Sequence, residues 1–170
     1  MNTSIKLVET NADIEAVSKL AKEVWEDHYT PIIGKSQVDY MLENFQSAEA
    51  IDSQITQGQH YYLTALEQSN VGYFALIHDF EKYAVKISKI YTHSFYRGKG
   101  IGNFMLKFIE QACEDNDVSR LWLTVNKNNK DSISWYQRRG FEITEDVKID
   151  IGSGYYMDDY VMEKTIGSLA

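Results

Sequence analysis

The segment from Lys89 to Leu106, KIYTHSFYRGKGIGNFML, joins a strand-like run, a turn with glycines at 98, 100 and 102, and an apolar-periodic helix. Glycine takes φ > 0 without steric penalty and lets a ligand come close to the backbone. The N–H groups at a helix start, backed by aligned peptide dipoles, favour an anion such as phosphate. Arg97 and Lys99 place positive charge at the same spot. A glycine-rich turn is also how two elements are simply joined, so the surrounding pattern has to decide.

Two phosphate motifs fail here. A P-loop needs Lys-Ser/Thr after its final glycine, whereas Gly102 is followed by Asn103 and Phe104. A Rossmann fingerprint is spaced Gly-x-Gly-x-x-Gly inside a βαβ unit. This turn is spaced Gly-x-Gly-x-Gly and follows runs that read as a meander.

The flanking pattern is α-rich first and strand-rich later. Ile5 to Glu9 reads as a strand. Thr10 and Asp13 have capping-box spacing, with Asp in place of Glu. Ile14, Val17, Leu20, Ala21, Val24 and Trp25 then recur at helical spacing to about Asp27. Pro31 and Gly34 mark a loop; Val38, Met41, Leu42 and Phe45 form a second helical stripe, and Ala48 to Gln57 a third helix. His60 to Leu66 and Val71 to His78 read as a hairpin joined through Glu67-Gln68-Ser69-Asn70. Val85 to Thr92 is a further strand, with Val85, Ile87 and Lys89 on one face. Ile101, Met105, Phe108, Ile109 and Ala112 make a helix. Leu121 to Val125 is a strand, Ser132 to Arg139 a helix closed by Gly140, and Phe141 to Ile149 and Tyr155 to Lys164 are the last strands. The class is mixed α/β with a largely antiparallel sheet.

Composition narrows the function. A chain of 170 residues suits one domain, and a single cysteine forms no internal disulfide. Asp and Glu total 25 against 17 for Lys and Arg, a formal charge of -8. No basic stretch marks a nucleic-acid face, while cationic small molecules are attracted. No apolar run suits a signal core or a bilayer span, so a cytoplasmic protein without membrane contact is expected.

Arg97, Gly100 and Gly102 give Arg-x-x-Gly-x-Gly behind Lys-Ile-Tyr-Thr. Further on, LTVNKNNKDSISWYQRRGFE is similar to Val-x-x-x-Asn-x-x-Ala-Ile-x-Phe-Tyr-x-x-x-Gly-Phe. Val125, Asn129, Ile133, Tyr136, Gly140 and Phe141 are in register, with Ser132 for Ala and Trp135 for Phe. These two motifs in this order resemble the GNAT superfamily of N-acetyltransferases. The resemblance implies one N-acetyltransferase domain over 1–170, with about seven mostly antiparallel strands, helices on both faces and a cofactor cleft between the fourth and fifth strands.

Carried over residue by residue, the resemblance gives acetyl-CoA as co-substrate. Backbone groups of Ile90 and Thr92 would hold the pantetheine arm and thioester. The N–H groups of Arg97, Gly98, Lys99, Gly100, Ile101 and Gly102 would hold the pyrophosphate, and Asn129 would bond the arm. Tyr136 would be the general acid for the departing thiolate, and the Ile90 N–H would face the oxyanion. Relatives often carry a glutamate two residues before the Ile90 position. Here Ser88 stands there, which leaves Glu26, Asp27, His28 and Asp79 as candidate bases.

The acceptor implied is a primary amine, of a small molecule or of a protein or peptide; a non-catalytic acyl-CoA-binding regulatory domain is the alternative. Acids and aromatics at Trp25–Tyr29 and among Tyr155, Tyr156, Asp158, Asp159 and Tyr160 suit a polyamine-like cation. No metal is expected, because the four histidines lack ligand spacing. His93 reads as a surface histidine and Cys113 as a packed apolar group. A homodimer is compatible with the resemblance, the final strand being available to an intersubunit surface.

Overall fold

The computed structural model describes residues 2–167. Its elements run β1 (Thr3–Leu7), α1 (Asn11–His28), α2 (Thr30–Ile33), α3 (Lys35–Phe45), α4 (Ala48–Thr56), β2 (His60–Leu66), β3 (Ser69–Asp79) and β4 (Ala84–Thr92). A 3₁₀ turn, Ser94–Tyr96, leads to α5 (Ile101–Asp115), β5 (Arg120–Asn126), α6 (Lys130–Arg138), β6 (Glu142–Gly152) and β7 (Tyr155–Thr165). The seven strands follow the order β1-β2-β3-β4-β5-β7-β6. Pairing is antiparallel for β1–β2, β2–β3, β5–β7 and β6–β7, and parallel for β4–β5. The mixed, mostly antiparallel class is as the sequence predicts.

The chain divides into two compact units, one made of the residues up to Ile77 with Lys89–Ile109, the other of His78–Ser88 with the residues from Glu110 onward. In the first unit, Thr10 begins α1 with the expected capping box. Thr10 Oγ1 accepts from the Asp13 N–H at 3.1 Å, and Asp13 Oδ2 accepts from the Thr10 N–H at 3.2 Å. Lys6 lies 2.8 Å from the other Asp13 oxygen, and that bond, ahead of the backbone N–H groups, holds the carboxyl down to about 2. Asp13 also takes the Glu9 N–H, so β1 ends at Leu7 instead of running to Glu9. The α1 stripe from Ile14 to Trp25 is buried as expected. Pro31, predicted to lie in a loop, sits in the first turn of the short helix α2, where its missing N–H costs nothing.

The β2–β3 hairpin turns through Glu67 and Gln68 alone, tighter than the sequence suggests, with Glu67 at φ 56°. In the second unit the core is built on Leu121, Leu123, Met162 and Phe141. Burying such side chains contributes about 1.5–3 kcal/mol each. The final strand β7 has both edges paired within the chain, to β5 and to β6. It is therefore not an edge open to another subunit; β6 occupies the end of the strand order.

Candidate active site

Parallel pairing of β4 with β5 covers only Ala84↔Arg120 to Ile87↔Leu123, yet β4 runs on to Thr92 and β5 to Asn126. Ser88, Ile90 and Thr92 all lie on the stretch of β4 beyond its last register partner in β5. Strand alternation puts Lys86, Ser88 and Ile90 on one face of β4 and Val85, Ile87, Lys89 and Tyr91 on the other.

Behind β4, His93 starts the 3₁₀ turn as its cap, its Nδ1 accepting from the Phe95 N–H at 3.1 Å. With Nδ1 an acceptor, Nε2 bears the hydrogen and meets Glu23 Oε2 of α1 at 3.1 Å. Arg97 Nη2 approaches His28 Nδ1 at 3.3 Å. The segment from 93 to 97 is thus tied at both ends to the last turns of α1, and His93 has a structural task that its sequence context did not reveal.

The glycine turn follows. Gly98 and Gly100 sit at φ 78° and 80°, a region that side chains rarely adopt, and a Cβ built on either meets nothing within 4 Å. The first hydrogen bond of α5 runs from the Phe104 N–H to the Gly100 carbonyl at 3.0 Å, leaving the N–H groups of Ile101 and Gly102 with no helical acceptor. Arg97, Gly98, Lys99 and Gly100 are exposed, while the Ile101 side chain is buried and anchors the helix start. Helix-start N–H groups beside two exposed cationic side chains make this a place suited to an anion.

The second motif lies in the other unit. Asn129 is 3% exposed and stands at the α6 N-terminus, where its side chain does not cap the helix. Tyr136 is 8% exposed on α6, its ring 5.3 Å from Trp135 and 5.5 Å from Phe141, both edge-on. The helix closes at Gly140, with φ 94°, as predicted.

The candidate bases are not assembled. Glu26, Asp27 and Asp79 are exposed, Asp79 accepts from the Lys82 N–H, and His28 is engaged with Arg97. Trp25 is a core residue stacked 4.2 Å from Tyr29, with Tyr91 at 5.6 Å. Cys113 is buried, which pushes its thiol up to about 11 and keeps it unreactive. No group of three metal-ligating side chains occurs among the described residues, nor is any helix there long and apolar enough to cross a membrane.

Lys89 and Asp159 are buried titratable groups that the sequence did not mark as buried. Lys89 donates to the Phe45 carbonyl at 2.7 Å, to Gln54 Oε1 at 2.9 Å and to the Tyr61 hydroxyl, and burial holds it down to about 7. Asp159 on β7 is pushed up to about 6, also chiefly by burial. The only signal for Lys89 was its place on the apolar face of Val85 and Ile87. Asp159 stood out only as one acid among several.

The Acetyltransferase (GNAT) family model matches residues 18–141, more than half the chain, and the chain belongs to that family. It is an acetyl-CoA-dependent N-acetyltransferase. It is similar to an uncharacterized N-acetyltransferase of Mycobacterium tuberculosis, 23% identical over 91% of this chain and 98% of that one. A spermidine N(1)-acetyltransferase of Thermoplasma acidophilum is 25% identical over 89% of this chain and 91% of its own. The crystal structure of the PaiA N-acetyltransferase from Thermoplasma acidophilum, in complex with coenzyme A, has the same fold. It superposes with a TM-score of 0.80 at 20% identity, covering 97% of this chain and 99% of that one.

Proposed function

We propose that both units together form one cytoplasmic N-acetyltransferase domain that moves the acetyl group of acetyl-CoA onto a primary amine of a small, polyamine-like cation. The observation that carries this reading is the turn from Arg97 to Gly102, with two open glycines at positive φ immediately before the first turn of α5. The family match crosses both units, which supports a single domain. The likeness to a spermidine acetyltransferase and the net charge of -8 support the acceptor class.

In this reading the N–H groups from Arg97 to Gly102 hold the pyrophosphate, and Ile90 and Thr92 bind pantetheine through the main chain as an added strand would. Asn129 bonds the same arm. The amine attacks the thioester carbonyl directly, and the oxyanion is stabilised by the Ile90 N–H. Tyr136 donates its proton to the sulfur as the C–S bond breaks. Phenols and thiols are close enough in acidity for that transfer.

The test is amine-dependent thiol release from acetyl-CoA with spermidine, spermine, aminoglycosides, amino acids and short peptides, for wild type and Tyr136→Phe. The variant should lose about 10²–10³-fold in kcat, as removal of a general acid does, and keep its affinity for acetyl-CoA. A loss below threefold removes Tyr136 from the mechanism. Turnover of peptides alone would replace the small-amine acceptor.

A further inference from the structure

Amine attack by an ammonium requires a base, and Ser88, on β4 beyond its pairing with β5, supplies no carboxylate. The register of the second unit brings a carboxylate to the same face of the sheet. Lys86 of β4 pairs with Trp122 of β5, and parallel pairing stops one residue later. On its other edge β5 pairs with β7, setting Thr124 opposite Val161 and Asn126 opposite Asp159. Residues directly opposite one another share a face, and every second residue along a strand returns to it. Lys86, Ser88, Thr124 and Asp159 therefore belong to one face, and Asp159 lies level with the end of β5, three residues past its last pairing with β4.

Asp159 is 2% exposed. The Thr124 hydroxyl donates to its carboxylate, and the charges that bear on it are Asp158, Lys86 and Lys127. Lys127 makes its ion pairs with Asp146, at 3.3 Å, and Asp158, at 3.1 Å. Lys86 lies over the Trp122 ring at 5.1 Å. Among the described residues no ion pair is formed by Asp159 itself. A buried carboxylate without an ion partner is costly to the fold, and such groups cluster at functional sites. Burial lifts it to about 6, where it is ionised at neutral pH yet still basic enough to accept a proton. Lys89, also buried, faces the opposite side of β4.

We propose that Asp159 is the general base that deprotonates the acceptor ammonium, a role that rests on the acetyl-transfer reading above. An ammonium N–H bond breaks and the proton passes to an Asp159 oxygen, leaving the electron pair on nitrogen. That pair forms the N–C bond at the thioester carbonyl. The C–S bond then breaks toward sulfur, which takes the Tyr136 proton. The second nitrogen proton, lost as the amide forms, restores the Tyr136 hydroxyl, and Asp159 releases its own proton to water.

The experiment compares wild type, Asp159→Asn and Thr124→Val on ethylamine and trifluoroethylamine, whose nitrogens are respectively protonated and largely neutral at pH 7. Asp159→Asn should lose about 100-fold in kcat/KM on ethylamine and less than fivefold on trifluoroethylamine, and should lose the ascending limb of the pH profile near 6. Thr124→Val keeps the carboxylate but removes the bond that favours its ionised form, so the limb should move to higher pH. This second variant decides the matter if the first does not fold. Equal losses on both amines, a rise in KM alone, or a limb that stays put in Thr124→Val would overturn the proposal. Full activity in Asp159→Asn beside an impaired Tyr136→Phe would reject only this base. Full activity in both variants would reject the acid assignment as well.

Discussion

Lys89 carries an amine into surroundings with no carboxylate among its hydrogen-bond partners, which are the Phe45 carbonyl, Gln54 and Tyr61. Its 8% exposure makes the charged form expensive, so the folded chain releases this proton at about 7, against an ordinary value of 10.5. Between those two values the unfolded chain binds more protons than the folded one, so this lysine's contribution makes stability rise with pH across that window. Below pH 7 both forms are protonated and the slope vanishes. Wild type should gain about 2 kcal/mol in denaturant unfolding between pH 7 and pH 9 from this group, at 1.36 kcal/mol per unit before relaxation. Lys89→Met should lose most of that gain; parallel pH dependences for the two proteins would sink the account. The apolar face of Val85, Ile87 and Lys89 was legible from alternation alone. Its consequence was not, because the partners Phe45 and Gln54 lie 44 and 35 residues away in the chain. Asp159 was hidden for the same reason, since its burial depends on strand order and not on its neighbours in sequence.

Between elements, Gly72 sets how closely β3 approaches β4. A Cβ there would stand 2.8 Å from the Tyr91 carbonyl oxygen and 3.3 Å from the Met105 side chain. Met105 can yield by changing rotamer, but the backbone of β4 cannot. Gly72→Ala should therefore cost about 2 kcal/mol, the usual scale of overpacking, and lower Tm by about 4–8 °C. Because Tyr91 lies between Ile90 and Thr92, acetyl-CoA should also bind more weakly; an unchanged Tm with unchanged binding would show that β4 gives way freely. A glycine inside a strand signals such an approach, but only the fold says against what. Local chemistry was readable elsewhere. The α1 cap needed only Thr10 and Asp13, and the α6 stop only Gly140, because those interactions close within a few residues. The place of β7 between β5 and β6 was not readable, since the chain makes β6 first and then inserts its last strand inside the order.

Across the whole molecule, 25 acidic residues against 17 basic ones create a field that draws cations and repels the phosphates of acetyl-CoA. In the proposed cofactor site, the open turn with Arg97 and Lys99 would answer that repulsion at short range, where fixed N–H groups act within the Debye length of about 8 Å. Salt should therefore separate the two substrates. Raising sodium chloride from about 20 to 300 mM should lower kcat/KM for a polycationic acceptor such as spermine by several-fold, through loss of steering. A monoamine should change by less than about twofold over the same range, because its single charge feels little of the field. Initial rates at saturating acetyl-CoA keep the cofactor out of the comparison. Equal sensitivity for both amines would place the salt effect on the protein, whereas a loss that grows with acceptor charge would tie the acid excess to acceptor capture.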